Sequence, residues 1–404
     1  MALPETEDGS LRVAIVHYWF VGNTGGERVV EALAEMFPQA DLFCLVAEPT
    51  TMSPTLRKHR LTTSFLQRIP GSRRLYKHLL PLHPLAIEQL DLSGYDLILS
   101  SESGPAKGVL SPPDTCHICY CHSPMRYLWD LYPSYRRAMG PVARNVFALT
   151  ANYLRMWDLA SAARVDYFVA NSYNVASRIR KHYRREAHVV YPPVNVSAGY
   201  VSRDLDDYYL VVSRLIGYKR VDLAIEACNR LKRPLRIIGD GDQYKRLRRL
   251  AGPSIEFLGH VSDRAVQENY ARCRALLFPG EEDFGIVPVE AQSFGRPVIA
   301  YGRGGALETV KGCPIGQPFT PEMSTGVFFF EQTADSVEDA IFRFESVEGR
   351  FSASFIRSSV ERFGVERFKS EMDQFIEENV STHRKSPTLS PTDGEMLAVS
   401  SHKA

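Results

Sequence analysis

The fold is decided by residues 275–310, which have the sequence ALLFPGEEDFGIVPVEAQSFGRPVIAYGRGGALETV. The opening run ALLF is apolar and ends at Pro279-Gly280, which predicts a short buried parallel strand. From Pro288 the pattern suits a helix that stops at Gly295, and the run PVIA predicts the next strand. A strand, a glycine-bearing turn, a helix and a strand form a βαβ unit, whose ligands bind at the carboxyl end of the first strand. The start of the helix presents free N–H groups and a partial positive charge there, which suits a phosphate.

Two glutamates of this stretch, Glu282 and Glu290, are eight residues apart. If the helix starts near Gly285 or Ile286, Glu290 lies about one turn into it and Glu282 stands on the loop before it. The two carboxylates are then placed to contact opposite ends of one ligand, with main-chain donors between them. Charged side chains are mostly exposed in proteins, so two solvated surface acids are the alternative. The position between a strand end and a helix start favours a ligand site.

The same stretch resembles the donor-binding core of the retaining glycosyltransferases of family 4, which have the GT-B fold. The signature of that family is a Glu, seven residues and a second Glu, with Phe-Gly-Ile or Phe-Gly-Leu between them, and it matches here without a gap. The resemblance implies that Glu282 meets the donor sugar and that Glu290 holds the nucleotide ribose. It also implies that the backbone N–H groups of Phe284, Gly285 and Ile286 meet the sugar and the diphosphate.

The length and composition describe an ordinary globular protein. With 404 residues the chain is long enough for two domains with separate cores. A charged content of 24% and a net charge of +1 give no reason to expect a nucleic-acid partner. No run reaches the ~18 apolar residues of a membrane span, and the polar, acidic start is unlike a secretory signal. We therefore expect a cytoplasmic protein in which residues 1–10 and 381–404 are disordered.

Cysteines and histidines cluster in CHICYCH, residues 116–122. A structural zinc site needs four ligands, usually as two pairs from separate elements, and no second pair with suitable spacing is present in the sequence. The segment also suits a buried strand, in which cysteine behaves as a small apolar residue. We expect the boundary between the two domains in residues 192–207, where Pro, Ser, Gly and Asp dominate. Asp204-Leu205-Asp206 falls in this linker, so we do not interpret it as a diphosphate-metal motif. We therefore expect neither a metal site nor a cofactor.

The first half of the chain alternates predicted strands and helices, starting with a strand in residues 11–20. Gly25 and Gly26 allow a ligand to approach the following helix closely, or they only form a tight turn. His122 follows the strand HICYC, at the edge where open α/β sheets bind ligands. In the resembled family a Gly-Gly loop borders the cleft, and CHSPMRYLWD matches the cleft histidine segment. The resemblance therefore makes His122 the catalytic candidate. For Arg126 the alternatives are a contact with phosphate or acceptor and support of the helix that we expect to start at Pro124, and we favour support.

The second half opens with the strand YYLVV and the segment SRLIGYKR. Arg214 and Lys219 follow the strand, where a guanidinium and an ammonium can flank a diphosphate, unless both are solvated loop cations. The segment SRLIGYKRVDLAIEA matches the Arg/Lys segment of the family. The implied role of the two cations is to stabilise the departing nucleoside diphosphate, which is an electrostatic task. The resemblance also puts the backbone at Val261 beside the base of the donor.

A basic stretch, residues 57–88, interleaves cations with leucines and has no acid before Glu88. Such a sequence can lie on an anionic membrane surface, and the alternative is the solvated face of two short helices. Prolines within it exclude one long helix. A membrane contact would place the protein peripherally at the inner face of the plasma membrane, which is attractive because many relatives act on lipid-linked acceptors.

These patterns predict an α/β protein of the GT-B fold, with two Rossmann-like domains that face each other across a cleft. The first domain, residues 11–195, is expected to bind the acceptor, and the second, residues 208–362, the nucleotide-sugar donor. By the resemblance, a helix over residues 365–380 crosses back to the first domain.

The expected activity is retaining, metal-independent transfer of a sugar to a hydroxyl of a glycan or lipid-linked glycan. The resemblance is nearest to bacterial mannosyltransferases of O-antigen and exopolysaccharide pathways, so GDP-mannose is the first candidate donor and UDP-sugars stay open. Two other classes remain as alternatives: a sugar-nucleotide epimerase of GT-B type and a non-catalytic sugar-nucleotide-binding subunit.

Overall fold

The computed structural model describes residues 11–22, 25–313 and 320–385. Residues 1–10 and 386–404, which we expected to be disordered, lie outside the described residues.

The first domain is built on a parallel sheet. Its strands are β1 (Val13–His17), β2 (Trp19–Phe20), β3 (Asp41–Cys44), β4 (Val46–Ala47), β5 (Leu61–Thr63), β6 (Leu97–Glu102), β7 (Cys116–Cys121), β8 (Tyr167–Ala170) and β9 (His188–Val189). Its helices are α1 (Gly25–Met36), α2 (Ser72–Leu75), α3 (His83–Glu88), α4 (Tyr132–Ala138), α5 (Pro141–Ala162) and α6 (Tyr173–Tyr183). The strand order is β5-β3-β1-β6-β7-β8-β9, while β2 pairs with β4. Every residue of β1, β6 and β7 is buried, as expected for strands that are covered on both faces.

The second domain repeats this plan. Its strands are β10 (Tyr209–Val212), β11 (Leu235–Ile238), β12 (Ile255–Gly259), β13 (Ala275–Phe278), β14 (Val298–Tyr301), β15 (Gly312–Cys313) and β16 (Gly326–Phe329). Its helices are α7 (Val221–Leu231), α8 (Tyr244–Leu250), α9 (Asp263–Arg272), α10 (Ile286–Ser293), α11 (Ala306–Thr309), α12 (Ala334–Glu345) and α13 (Ala353–Ser358). The parallel order is β12-β11-β10-β13-β14-β16-β15. The unit β13-α10-β14 confirms that residues 275–310 form a βαβ unit. The two parallel-sheet domains confirm the predicted fold class.

The last helix, α14 (Val365–Lys385), crosses back to the first domain. Phe368, Met372 and Ile376 are buried in the same core cluster as the β1 and α1 side chains. The helix is longer than predicted, so the expectation of disorder from residue 381 is wrong for residues 381–385. The hydroxyls of Ser381 and Thr382 donate to the carbonyl of Glu378 (2.9 and 2.8 Å), so these polar residues continue the last turns of the helix. The boundaries 11–195 and 208–362 stay a prediction.

None of the helices in the described ranges combines the length and the apolar composition that crossing a bilayer requires.

The first domain contains buried histidines, including His17, His83 and His117. Burial lowers the pKa of His83 to about 4 and that of His117 to about 3, and it also lowers the pKa of His17. The charges of Arg164 and Lys107 lower the pKa of His117 further. These imidazoles are therefore neutral in the folded protein near pH 7.

We expect the free energy of unfolding to fall as the pH drops from about 6.5 towards 4. In that window the unfolded chain binds protons at these histidines and the folded protein does not, so protonation favours the unfolded state. Each unit of pKa difference corresponds to about 1.4 kcal/mol. His117→Gln should make the pH dependence shallower in urea titrations between neutral and mildly acidic pH. His260→Gln, at an exposed position, is the control and should keep the wild-type slope. Equal slopes for His117→Gln and wild type would contradict this assignment.

Candidate functional site

Two loops at the carboxyl edge of the second sheet bring predicted site residues together. Lys219, on the loop after β10, forms an ion pair with Glu282, on the loop after β13. Their side chains are only 19% and 15% exposed. Gly280 permits the approach of the loops, because a Cβ atom there would lie 3.0 Å from the Cα atom of Lys219. An ammonium and a carboxylate thus stand side by side at the edge where α/β sheets bind ligands.

Two adjacent glycines, Gly304 and Gly305, hold the loop that carries Glu282. The N–H of Gly305 donates to the carbonyl of Glu282 (2.8 Å), and Gly304 bridges to Glu282 with a φ of +63°. A Cβ atom on Gly305 would lie 2.3 Å from the Cα atom of Phe284, so no larger residue fits there without a shift of the loop. These contacts hold the acidic loop at the start of α10.

Helix α10 starts at Ile286, two residues before Pro288, from which the pattern suited a helix, and at the position that the placement of Glu290 assumed. Gly285 caps it with a φ of +96°, a conformation that favours glycine, and Ile286 is its first residue. The side chain of Phe284 is buried between the rings of Tyr191 and Phe363, with centroid distances of 5.6 and 5.4 Å. Because the ring is buried, only the backbone of Phe284 is available to contact a ligand, as the family resemblance implies.

Glu290 lies about one turn into α10 and faces the first domain. Its carboxylate accepts a hydrogen bond from Arg28 Nη1 (2.8 Å) and another from the hydroxyl of Tyr270 (3.1 Å). Arg28 belongs to α1 of the first domain, so this pair crosses the cleft. The carboxylate that the resemblance assigns to the ribose therefore already has a cationic partner.

Gly25 and Gly26 open α1 in close contact with the site. A Cβ atom on Gly25 would lie 2.6 Å from Ile286 Cδ1, across the cleft. A Cβ atom on Gly26 would lie 2.8 Å from the hydroxyl oxygen of Tyr18 and 3.6 Å from His122 Nε2. The structure thus brings both glycines next to the start of α10 and next to the candidate histidine, where they contact the ends of the Ile286 and Tyr18 side chains.

His122 follows β7 and belongs to a hydrogen-bonded chain of three side chains. Its Nε2 atom lies 2.8 Å from Ser101 Oγ, which lies 3.1 Å from His17 Nδ1. Burial lowers the pKa of His122 to about 4, so the ring is neutral near pH 7. His17 and Ser101 were not predicted from the sequence. The available signal was their position at the ends of adjacent strands, since β1 and β6 pair with His17 opposite Ser101.

Arg214 does not join the Lys219–Glu282 pair. Its side chain is exposed and makes no ion pair within the part of the chain that the structure describes. It faces the basic stretch instead: burial, and then the charge of Arg214, lower the pKa of Lys77. Val261 packs half-buried against the core cluster of the second domain, and its contact with the base stays a prediction.

Asp283, which sequence reasoning passed over, is the centre of an ion cluster between the domains. Its side chain, 19% exposed, forms an ion pair with Arg178 and lies 3.5 Å from Arg126 Nη1. Burial raises the pKa of Asp283, and the two arginines oppose that rise. Arg126 also donates to the carbonyl of Glu281 (3.4 Å), so it reaches into the second domain. Residues 126–131 form turns, so the expectation that Arg126 supports a helix is wrong. Three adjacent acids at 281–283 were the available signal, because enclosed carboxylates need cationic partners.

A further contact between the domains lies at the N-terminus of α6. The carboxylate of Glu308 accepts hydrogen bonds from the backbone N–H groups of Tyr173 and Asn174, both at 2.9 Å. A carboxylate at this position also interacts favourably with the helix dipole. The candidate site is thus enclosed by polar contacts from both domains.

The segment CHICYC forms the buried strand β7, as predicted. Among the described residues, one group brings possible metal ligands within 4.8 Å of one another: Cys116, Asp166 and His383. Cys116 opens β7, at the sheet edge opposite the carboxyl ends of the strands, so this group is remote from the candidate site. Burial and the charge of Asp166 raise the pKa of the Cys116 thiol to about 12, which disfavours the thiolate that binds metals.

Two family profiles match the chain. The profile described as Glycosyltransferase Family 4 matches residues 23–198, and the profile described as Glycosyl transferases group 1 matches residues 198–357. The human alpha-1,3/1,6-mannosyltransferase ALG2 is 25% identical over 229 residues, which are 47% of this chain and 52% of that protein. O-antigen chain mannosyltransferase C of Escherichia coli is 28% identical over 178 residues, or 38% and 47% of the two chains. The chain therefore spans about half the length of these curated relatives.

The fold also matches solved structures. Anabaena HepE, crystallised in complex with UDP and glucose, superposes with a TM-score of 0.66 at 17% identity, covering 91% of this chain and 100% of HepE. At this identity the likeness concerns the fold alone. Together the two profiles span residues 23–357, which is most of the chain. The chain therefore belongs to the glycosyltransferases of the GT-B fold, with a Family 4 region followed by a group 1 region.

Proposed function

We propose that the protein transfers a hexose, with mannose as the first candidate, from a nucleoside diphosphate sugar to a hydroxyl of a glycan or lipid-linked glycan, with retention of configuration. The observation that carries this proposal is the Lys219–Glu282 pair beside the start of α10, enclosed by the two domains. The mannosyltransferases among the matched relatives support mannose, and GDP-mannose is accordingly the first donor to test. The cytoplasmic location stays a prediction.

The chemistry needs positive charge where the diphosphate leaves. Lys219 and the free N–H groups at the start of α10 supply it from the chain itself, and a contribution of Arg214, which does not join Lys219 in the structure, stays a prediction. The bond between C1 of the sugar and the phosphate oxygen breaks, and a bond between C1 and the acceptor oxygen forms on the same face. The proton of the acceptor hydroxyl passes to a phosphate oxygen of the leaving group. Glu282 and the neutral ring of His122 orient the sugar by hydrogen bonds.

A panel of nucleotide sugars tests the donor. The melting temperature should rise most with GDP-mannose, because a ligand that binds only the folded state stabilises it by mass action. A transfer assay with a glycan acceptor, followed by NMR of the anomeric carbon, should then show the configuration of the donor retained. The proposal would be wrong, and the epimerase alternative right, if UDP-GlcNAc raised the melting temperature most and an epimerised sugar nucleotide formed without acceptor.

Two single substitutions separate the proposed ribose contact of Glu290 from its ion pair with Arg28. We expect Glu290→Gln to raise the Kd of the donor about tenfold, since a hydrogen bond to a charged group contributes roughly 1.5–3 kcal/mol. Arg28→Met breaks the same ion pair but leaves the carboxylate free for the ribose, so the Kd should stay unchanged or fall. Isothermal titration calorimetry measures both values.

The matched control is Glu268→Gln, which breaks the exposed Arg264–Glu268 pair on α9 and should leave the Kd unchanged. An equal rise of the Kd in Glu290→Gln and Arg28→Met would mean that Glu290 only links the domains.

A further inference from the structure

Helix α5 of the first domain carries a row of exposed apolar side chains. The row consists of Val142, Val146, Leu149, Tyr153 and Met156, which are 79%, 59%, 77%, 45% and 61% exposed. Their spacing of four, three, four and three residues puts them on one face of the helix. We call this row the α5 stripe.

The α5 stripe is not the face that α5 packs against its own domain. Ala151 and Leu154 point the other way and are buried in a cluster with Met125 and Leu128. The helix therefore has one apolar face in the core and a second one in solvent. A contiguous row of large apolar side chains on a protein surface commonly marks an interaction site.

The charged residues in the segment that carries the α5 stripe have one sign. Residues 131–157 contain Arg136, Arg137, Arg144 and Arg155 and no acidic residue. Arg136 and Arg137 are exposed on α4, directly before α5, whereas Arg155 donates to the carbonyl of Leu128 (3.1 Å). A second copy of this helix would bring cations against cations, whereas an anionic lipid surface attracts them by about 1 kcal/mol per exposed charge.

We propose that the α5 stripe and the arginines beside it form a peripheral docking surface for an anionic lipid bilayer. Helix α5 would lie in the plane of the interface, with the stripe in the acyl boundary and the arginines at the phosphate groups. Tyr153 lies in the stripe, and Tyr135, 41% exposed, lies on α4; tyrosine suits the headgroup level of a bilayer.

The basic stretch 57–88, our expectation from the sequence, is less suited to this task. Arg73 forms an ion pair with Glu48 (2.7 Å), and Lys77 faces Arg214 of the second domain. The protein itself therefore partly neutralises Arg73, and Lys77 is turned towards the second domain. Leu80 of this stretch packs in the same cluster as Leu154, so the stretch adjoins the core-facing side of α5.

Flotation of the full chain with lipid vesicles tests the proposal. The protein should float with vesicles of phosphatidylcholine and phosphatidylglycerol at low salt, and much less with pure phosphatidylcholine or at high salt. Leu149→Gln/Met156→Gln should lower the partition coefficient at least about tenfold, because the stripe then buries much less apolar area. Glutamine keeps the helix propensity, and circular dichroism checks the fold. The assay needs neither donor nor acceptor, so its outcome is independent of the transfer reaction.

The matched control is Met323→Gln/Phe342→Gln, which changes residues that are 67% and 51% exposed in the second domain and should float like wild type. Arg136→Glu/Arg137→Glu should weaken binding and flatten its salt dependence. Failure of the wild type to float with anionic vesicles, or equal flotation of the stripe variant and the control, overturns the proposal. A concentration-dependent dimer that the stripe variant abolishes would also overturn it, and would assign the stripe to a second copy.

Discussion

Lys219→Met should lower kcat/KM for the donor by about 10²–10³-fold, the cost of removing one preorganised group that stabilises developing charge. In the proposed reaction, negative charge grows on the diphosphate as the sugar leaves. Lys219 is enclosed at the edge of the second sheet, where its ammonium acts through less water than an exposed cation. Methionine keeps much of the length of the side chain and removes the charge. Steady-state kinetics with the best donor of the panel measures the change.

Lys245→Met is the control, because Lys245 is an exposed cation of the same domain on α8. Its kcat/KM should equal that of the wild type. Glu282→Gln should also lower kcat/KM, and the two losses should not add in the double variant, because Lys219 and Glu282 are in direct contact. A Lys219→Met enzyme with transfer rates close to wild type would remove the central element of the proposed mechanism.

Asp283→Asn should open the cleft between the domains. Asp283 is the carboxylate that Arg126 and Arg178 share, and its replacement leaves two enclosed guanidinium groups with less compensating charge. Breaking an enclosed ion pair by removing one partner costs roughly 3–5 kcal/mol. This free energy stabilises the contact between the domains, so the closed arrangement should become less populated while each sheet stays folded. Transfer should slow because the two halves of the site no longer meet.

Small-angle X-ray scattering measures the opening as a larger radius of gyration, and circular dichroism checks that the domains stay folded. The control is Asp335→Asn, since Asp335 pairs with Arg230 on the surface, where its side chain is 84% exposed and contributes little. Unchanged scattering together with wild-type transfer would show that the domains are held by their other contacts, such as that of Glu308 with α6.

Local spacing explains why much of the second domain could be predicted. The start of α10 follows from Gly285 and the apolar pattern after it, and Glu290 then has to lie about one turn in. Lys219 and Glu282 each follow a strand of a parallel sheet, so both lie at its carboxyl edge. The proximity of these two groups was therefore a consequence of the order of elements along the chain.

The sequence could not predict which face of α5 is buried. Its sequence indicates a helix of mixed character, with apolar residues on two faces. Periodicity locates apolar faces but does not say which one the rest of the domain covers. The packing of Ala151 and Leu154 shows which face lies inside, and only then is the α5 stripe recognisable as exposed.

Local sequence patterns are enough to predict the two α/β domains and the edge of each sheet at which the candidate residues gather, because periodicity and turn residues act over a few positions. The groups that meet across the cleft could be identified only from the folded structure: Arg28 with Glu290, Arg178 with Asp283, and Glu308 with the N-terminus of α6. These partners are more than a hundred residues apart along the chain. A charged side chain can form an ion pair with any opposite charge that lies close to it, so the sequence around one residue does not identify its partner. The packing of the two domains determines which opposite charge is close.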